Sequence, residues 1–320
     1  MAEAALVIEE AGLAMTIQGR PFRTARHHGV PLAGPADAVA CTMANWLAGN
    51  PAGSPALEWA LSGFSGHVTI DTALGIAGAV GSLTISGQPH NPHETALVKS
   101  GDHIRITPSR HGARLYLAVS GGFAVDTILG ANSTYPPAGL GTAAAWPMEA
   151  GDAMPVRSSS RPPSQRILPK RCRQDFTGNH ALRYVPYAAD EAKVQNTTEQ
   201  STWLVTKRCD RSAVQIKPGP GQSPSPGSAE AAATMPSNAV FPGAIQLPPD
   251  GQPLLMGVDG RTTGGYVVAG QIIRADRHLL GQMRAGDRVG LIATPADKAR
   301  EMYRDKLELW RRYLPDLKLD

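Results

Sequence analysis

Thr262-Thr263-Gly264-Gly265-Tyr266 is the densest chemical signal in this sequence, set within the apolar, nearly uncharged stretch GAIQLPPDGQPLLMGVDGRTTGGYVVAG, residues 243 to 270. Three hydroxyls can donate hydrogen bonds, and the two glycines, lacking Cβ, let backbone N–H groups come close to a ligand. Preorganised donors of this kind in a dry site suit an anionic or amide-like group. Asp259 could orient a donor or act as a base, and Gln252 offers an amide. The candidate catalytic set is Asp259, Thr262, Thr263 and Tyr266, with Gln252, Gly264 and Gly265 binding substrate. The competing reading is a tight hairpin turn with Tyr266 as a core strand residue.

Other reactive residue types are scattered. His27-His28 could hold a general base, since imidazole titrates near neutrality, and His28 joins the substrate-binding candidates. Arg20, Arg23 and Arg26 nearby would disfavour a charged imidazole and fit a surface loop equally. His90-Asn91-Pro92-His93 has a proline between its histidines and no acidic or cysteine partner at ligand spacing, so no metal is expected. Cys209 beside Asp210 and Arg211 is a thiolate candidate, with a structural cysteine as the plainer alternative. Asp37 and Glu58 could face a cleft, but Asp37 suits a helix N-terminus and Glu58 a half-buried strand. The chain lacks a GxxxxGK[ST] phosphate loop, a Met-Lys-Met biotinyl-lysine segment and a GxSxG elbow.

The elements that must position these groups are short. Gly 34 and Pro 27 in 320 residues predict many turns, as in β-barrels or sandwiches. Hydrophobic residues at 42% against charged residues at 18% indicate a globular chain. The net charge of +4 is spread out, and aromatics at 5% show no basic-aromatic interleaving, so nucleic acid is not an expected partner. Three irregularly spaced cysteines argue against a disulfide framework, and no apolar run reaches membrane length. A cytoplasmic protein is expected.

Residues 35 to 51 read as a helix with Pro35 and Asp37 in its first turn, and residues 293 to 314 as a closing helix with Thr294 at the N-cap. Between them run short β segments. SGDHIRI, AGDAMPV and AGDRVGL, starting at 100, 150 and 285, share a Gly-Asp turn followed by a strand, and two of them suggest an internal duplication. The expected organisation is an N-terminal β unit with one helix over 1–156 and a connecting segment over 157–205. A C-terminal β-barrel unit then covers 206–320, with a mobile insertion at 217–238 and a C-terminal helix.

HHGVPLAGPADAVACTMANWLAGNPAGSPALEWALSG (27 to 63), RLYLAVSGGFAVDTILGANSTY (114 to 135) and PGAIQLPPDGQPLLMGVDGRTTGGYVVAGQIIRADRHLLGQMRAGDRV (242 to 289) together resemble the biotin-dependent carboxyltransferase-like family. That family includes the C-type component of ATP-dependent 5-oxoprolinase, KipA-type regulators and the second half of the urea carboxylase carboxyltransferase domain. The resemblance implies a mainly β fold with a few helices, built as two cyclophilin-like β-barrel units. It implies a KipI-like B-type partner and, for 5-oxoprolinase, an A-type partner. The substrate would be a small amide or lactam. ATP or carboxybiotin would be supplied by those partners, with no cofactor held covalently, and the site would lie in a groove between the β units with 259 to 266 as one wall. Arg211, in a segment resembling the family's DRMGYRL, joins the substrate-binding set. The family's aspartate and glycine spacing are lost after Gln18, its arginine is missing at 141–148, and a glycine and an arginine are replaced by Ala213 and Gln215. A KipA-type regulator binding a kinase inhibitor is the alternative reading, and the missing arginines favour a further one, a divergent paralogue with a pocket and no chemistry.

Overall fold

The computed structural model describes residues 5–141, 147–157, 164–187, 202–221 and 236–317. Most of the segment expected as an insertion, and most of the Ser/Pro-rich stretch 157–165, lie outside the described residues. The chain divides into two compact units. One comprises Met1–Thr24, Ala33–Asp175 and Leu309–Asp320; the other comprises Ala25–Leu32 and Phe176–Glu308. The chain thus passes to the second unit after Asp175, residues 25–32 group with the second unit, and the end of the chain groups with the first.

The first unit contains β1 (Ala5–Glu10), β2 (Leu13–Gln18), β3 (Ala56–Ala60), β4 (Phe64–Val68), β5 (Thr72–Gly78), β6 (Val80–Ile85), β7 (Gln88–His90), β8 (Ala96–Val98), β9 (His103–Pro108), β10 (Arg114–Val119) and β11 (Ala153–Pro155). They form a six-stranded sheet in the order β11-β1-β4-β9-β6-β7 and a five-stranded sheet in the order β2-β3-β10-β5-β8. Helix α1 (Ala38–Leu47) begins after Asp37, whose carboxylate accepts from the Val39 and Ala40 N–H groups at 2.9 Å. Asp37 is thus the N-cap itself, outside the first turn where the sequence placed it. The small side chains Ala40, Ala44 and Ala48 pack on Tyr116 and Ala118. A Cβ at Gly75 would come within 1.9 Å of the Ala44 carbonyl oxygen, so the helix lies directly on the β5 backbone there.

Beneath α1 sits a closed polar network. Glu58 is buried at 2% exposure, deeper than the half-buried position expected, and accepts from Tyr116 Oη at 2.6 Å and the Ala36 N–H at 2.9 Å, with Arg114 Nε at 3.4 Å. Burial, then the Glu58 and Asp37 charges, raises the Tyr116 hydroxyl well above its usual range. A buried charge is tolerable when it is paired and hydrogen-bonded as here. This network links the start of α1 to β3 and β10.

The second unit contains β12 (Asn179–Pro186), β13 (Trp203–Cys209), β14 (Ala213–Pro218), β15 (Asn238–Ala239), β16 (Ala244–Leu247), β17 (Leu254–Met256), β18 (Thr263–Gly264), β19 (Val267–Ile272) and β20 (Arg288–Ala293). Seven of these close into a barrel in the order β12-β19-β16-β17-β14-β13-β20, sealed by the parallel pair β12 and β20. Alternation sends Leu182 and Tyr184, Val289 and Leu291, and Ile245 and Leu247 inward, around Trp203, Leu255 and Ile272.

The three Gly-Asp motifs share one geometry. Gly101, Gly151 and Gly286 have φ of 86°, 96° and 94°, a region that favours glycine. In each turn the aspartate carboxylate accepts the N–H three residues back: Lys99 to Asp102 at 2.8 Å, Glu149 to Asp152 at 2.9 Å and Arg284 to Asp287 at 2.9 Å. The two stretches that suggest a duplication, which begin in β6 and β19 and end in β9 and β20, are paired differently. β6 and β9 are adjacent in their sheet, whereas β12 separates β19 from β20.

Helix α2 (Ala296–Tyr313) starts one residue later than its expected cap. Pro295 O accepts from Ala299 N at 2.9 Å, while the Thr294 hydroxyl donates to Ile292 O at 3.3 Å. Trp310 and Leu314 are buried. Among the described residues no helix is long and apolar enough to cross a membrane.

Candidate active site in the second unit

The barrel order explains the Thr-Thr-Gly-Gly-Tyr stretch. β16 lies between β17 and β19, yet the next barrel strand after β17 in sequence is β19. Residues 257–266 must therefore cross over β16. The crossing is clamped by β18 pairing with β15, Thr263 opposite Ala239 and Gly264 opposite Asn238, and by the Val240 N–H donating to Thr262 O at 2.9 Å. The outward side chains of β16 end up beneath this flap. Ala244 joins Val240 and Met256 in a small outer core, and Gln246 lies beside them at 4% exposure.

Gly264 stands where the crossing comes closest to Gln246. A Cβ there would lie 2.7 Å from Gln246 Nε2 and 3.2 Å from the Val240 side chain. Gln246 Nε2 is buried without a hydrogen-bond partner. An unfilled buried donor costs on the order of 1–3 kcal/mol, and nearly all buried polar groups are hydrogen-bonded. Arg26 supplies a second donor. Its Nη2 donates to Val240 O at 2.6 Å, its guanidinium stacks 4.7 Å over the half-exposed Phe241 ring, and its Nη1 is buried and unpartnered. Burial lowers the Arg26 guanidinium below its usual range. Through this arginine, the Ala25–Leu32 segment is tied to the strand leading into β16.

A similar arrangement surrounds Gly243, whose φ is 90°. Gln271 Nε2 donates to Pro242 O at 2.7 Å, and Arg277 Nε lies nearby, buried and unpartnered. Burial, then the neighbouring Arg274 charge, lowers the Arg277 guanidinium below its usual range.

All nine candidate residues read from the sequence belong to the second unit. Asp259 and Arg211 meet directly. Arg211 Nε and Nη2 donate to Asp259 Oδ2 and Oδ1 at 2.7 and 2.9 Å, and the Asp259 N–H donates to Arg211 O at 3.0 Å. Both carboxylate oxygens are engaged, so Asp259 anchors the start of the crossing. Thr263 and Tyr266 are exposed on the flap, Tyr266 at 45%, which removes the core-strand alternative for it. Thr262 and Gly265 are half-buried beside them. Gln252 sits in the β16–β17 connection with its N–H held by Asp250 Oδ1 at 3.0 Å. His28 is exposed in the short 3-10 turn Arg26–His28, its ring 3.8 Å from that of His27. Cys209 donates its thiol hydrogen to Met283 O at 3.3 Å. Arg26, Gln246 and Arg277 are the site residues that sequence reasoning missed. Gln246 leaves one trace, a lone amide in the apolar run AIQL.

The surface of the crossing thus offers hydroxyls, and its underside covers buried N–H donors. This donor-rich, apolar-walled arrangement can take up a carbonyl, carboxylate or amide oxygen and stabilise charge gathering on it.

Residues 28–293 match the family model for the carboxyltransferase domain, subdomain A and B. The chain is 27% identical to the C-type component of 5-oxoprolinase from Escherichia coli strain K12 over 304 residues, covering 94% of this chain and 95% of that protein. It is also 27% identical to the urea amidolyase of Lachancea kluyveri over 320 residues, which is 93% of this chain and only 17% of that one. The crystal structure of Kluyveromyces lactis urea carboxylase superposes with a TM-score of 0.83 at 23% identity, covering 99% of this chain and 30% of that one. The same mainly β architecture is therefore found in a urea carboxylase. With five-sixths of its length under one family model, this chain belongs to the carboxyltransferase domain family, subdomain A and B.

Proposed function

We propose that this chain is the C-type component of an ATP-dependent 5-oxoprolinase, or of a related complex that cleaves an amide or transfers a carboxyl group. The observation that carries this reading is the alignment with the C-type 5-oxoprolinase component, which runs nearly end to end on both sides. The relative is a protein of the same extent, whereas the urea enzymes contain a region of this kind within much longer chains.

In this reading the flap over β16 is the substrate wall. Opening a lactam places negative charge on the carbonyl oxygen, and Gln246 Nε2 is a buried donor with an unused hydrogen bond. Thr263 and Tyr266 offer hydroxyls from the exposed side to the ring nitrogen or a carboxylate. Gly264, lacking a Cβ, lets the flap backbone lie close over Gln246 Nε2. ATP, or a carboxylated biotin in a carboxyl-transferring relative, comes from two partner proteins, one KipI-like and B-type, the other A-type. The complex would work in the cytoplasm.

The decisive experiment combines this chain with its B-type and A-type partners and measures ATP-dependent release of glutamate from 5-oxoproline. Turnover that requires all three supports the proposal. A stable complex without turnover on 5-oxoproline or a carboxyl acceptor would sink it. That outcome is what the second reading expects, in which the chain is a KipA-type regulator or a pocket without chemistry. The observation favouring it is Asp259, whose two carboxylate oxygens both accept from Arg211.

A further inference from the structure

A cluster unrelated to the flap lies on the six-stranded sheet of the first unit. His67 on β4 and His103 on β9 are directly opposed cross-strand partners, with ring centroids 5.5 Å apart and planes tilted by 46°. Glu9 comes from β1, on the other side of β4. It is the extra residue of a β-bulge, since the β1–β4 register shifts between Ile8 and Glu10. Bulges re-aim a side chain, and here the Glu9 carboxylate meets both rings. Glu9 Oε1 lies 2.8 Å from His67 Nδ1 and 3.2 Å from His103 Nδ1.

Two imidazole nitrogens converging on one carboxylate exceed what a simple ion pair needs, and the spacing is that of a metal tripod. One ligand atom from each residue lies within 4.8 Å of the other two. Around a tetrahedral cation with bonds of about 2.0–2.1 Å, neighbouring donors sit roughly 3.3 Å apart. The Glu9–histidine separations already approach that distance, so a cation needs only small side-chain rotations to enter. Three adjacent hydrogen-bonded strands fix the ligand backbones. Side-chain exposures of 32% for His67, 35% for Glu9 and 65% for His103 leave an entry path and room for water.

We propose that Glu9, His67 and His103 form a binding site for a divalent transition cation, zinc foremost. Two nitrogens and one carboxylate oxygen suit zinc, copper(II) or nickel(II), and offer too few oxygens for calcium or magnesium. Three protein ligands leave at least one coordination position to water, making the site exchangeable. No metal was expected from the sequence because the pair considered there, His90 and His93, is local. The tripod is assembled from positions that only strand pairing brings together.

The test uses the full-length protein, freed of any affinity tag and stripped of metal, titrated with zinc chloride by calorimetry and by competition against a chromophoric chelator. One saturable equivalent is expected. His67→Ala and His103→Ala should each weaken it about 100-fold or more, and Glu9→Gln about 10-fold. Replacing His90 and His93, or His27, should leave the affinity unchanged. Absence of a saturable equivalent would overturn the proposal, as would binding that survives in the His67→Ala, His103→Ala double variant or is lost with the control histidines. Zinc-soaked crystals of the unaltered protein give an answer independent of any variant's folding. An anomalous peak bonded to both Nδ1 atoms is expected, and zinc found only elsewhere would overturn the assignment.

Discussion

Arg211 grips Asp259 through two parallel N–H···O bonds of 2.7 and 2.9 Å, with side-chain exposures of 17% and 7%. The pair fixes where the crossing over β16 begins, since Arg211 opens the turn before β14 and Asp259 follows β17. Removing one member strands the other charge in a buried place, which costs about 3–5 kcal/mol. Arg211→Ala and Asp259→Ala should each lower stability by about 3 kcal/mol, and the double variant by clearly less than the sum. Urea unfolding of the four proteins checks this. If Asp259 were a catalytic base instead, Asp259→Asn would abolish turnover at unchanged stability.

Gly264 and Gln246 give opposite expectations for stability and function. Gly264→Ala puts a Cβ 2.7 Å from Gln246 Nε2 and 3.2 Å from the Val240 side chain, so the buried Gln246 amide is pushed from its place and turnover falls, with a smaller loss of stability. Gln246→Leu replaces an unpartnered buried amide with an apolar side chain of similar size. It should leave the melting temperature unchanged or raise it by a few degrees, while substrate binding is lost. Differential scanning calorimetry and substrate titration in the assembled complex read the two effects separately. A clear drop in melting temperature for Gln246→Leu would show that the amide has a structural partner.

The contrast between Gly264 and Gln246 also shows what a sequence can carry. The glycines, hydroxyls and Gly-Asp turns were legible because turn chemistry is local: Gly101, Gly151 and Gly286 all take the positive φ that their motifs announce. Gln246 was not, because its burial depends on β17 connecting to β19 across β16, a pairing order that no local pattern encodes. Arg26 was read as a surface charge beside the histidines. Its placement against Val240 and Phe241 depends on a contact between residues far apart in the chain. The pairing of Asp259 with Arg211 was not legible either, since the two residues lie 48 positions apart.

Acid sensitivity should come from His278. Burial, reinforced by the Lys306 charge, pushes its imidazole down to about 3, with Lys306 Nζ 3.3 Å from Nδ1. In the unfolded chain the same ring titrates at about 6.5. Between those values the unfolded state binds a proton that the native state refuses, so this contribution to stability is complete above about 6.5 and is lost as the pH falls. The slope it adds cannot exceed about 1.4 kcal/mol per pH unit. Urea unfolding from neutral to mildly acidic pH should show a shallower acid limb for His278→Gln than for the unaltered protein. Identical slopes would remove His278 as the cause.

The three Gly-Asp turns offer an internally controlled experiment, since one side-chain-to-backbone bond recurs in three surroundings. At Asp152 the carboxylate supports only its own turn, through the Glu149 N–H. Asp102 adds an exposed bond from the Ser86 hydroxyl at 2.7 Å. Asp287 is buried and also takes His180 Nε2 at 2.9 Å, joining the Gly-Asp turn to β12 where the barrel closes. Burial pushes the Asp287 carboxyl up, but the His180 and Arg284 hydrogen bonds outweigh it and hold the group below its usual range. Its stabilisation is therefore present above the ordinary carboxylate range and fades as the pH drops through the lowered value. Asp287→Ala should cost about 3 kcal/mol, because it leaves His180 buried against nothing. Asp152→Ala should cost about 1 kcal/mol and Asp102→Ala should rank with it. Chemical denaturation of the three variants at neutral pH gives the ranking, and equal losses at all three positions would mean that the turn bond alone, without His180, carries the effect.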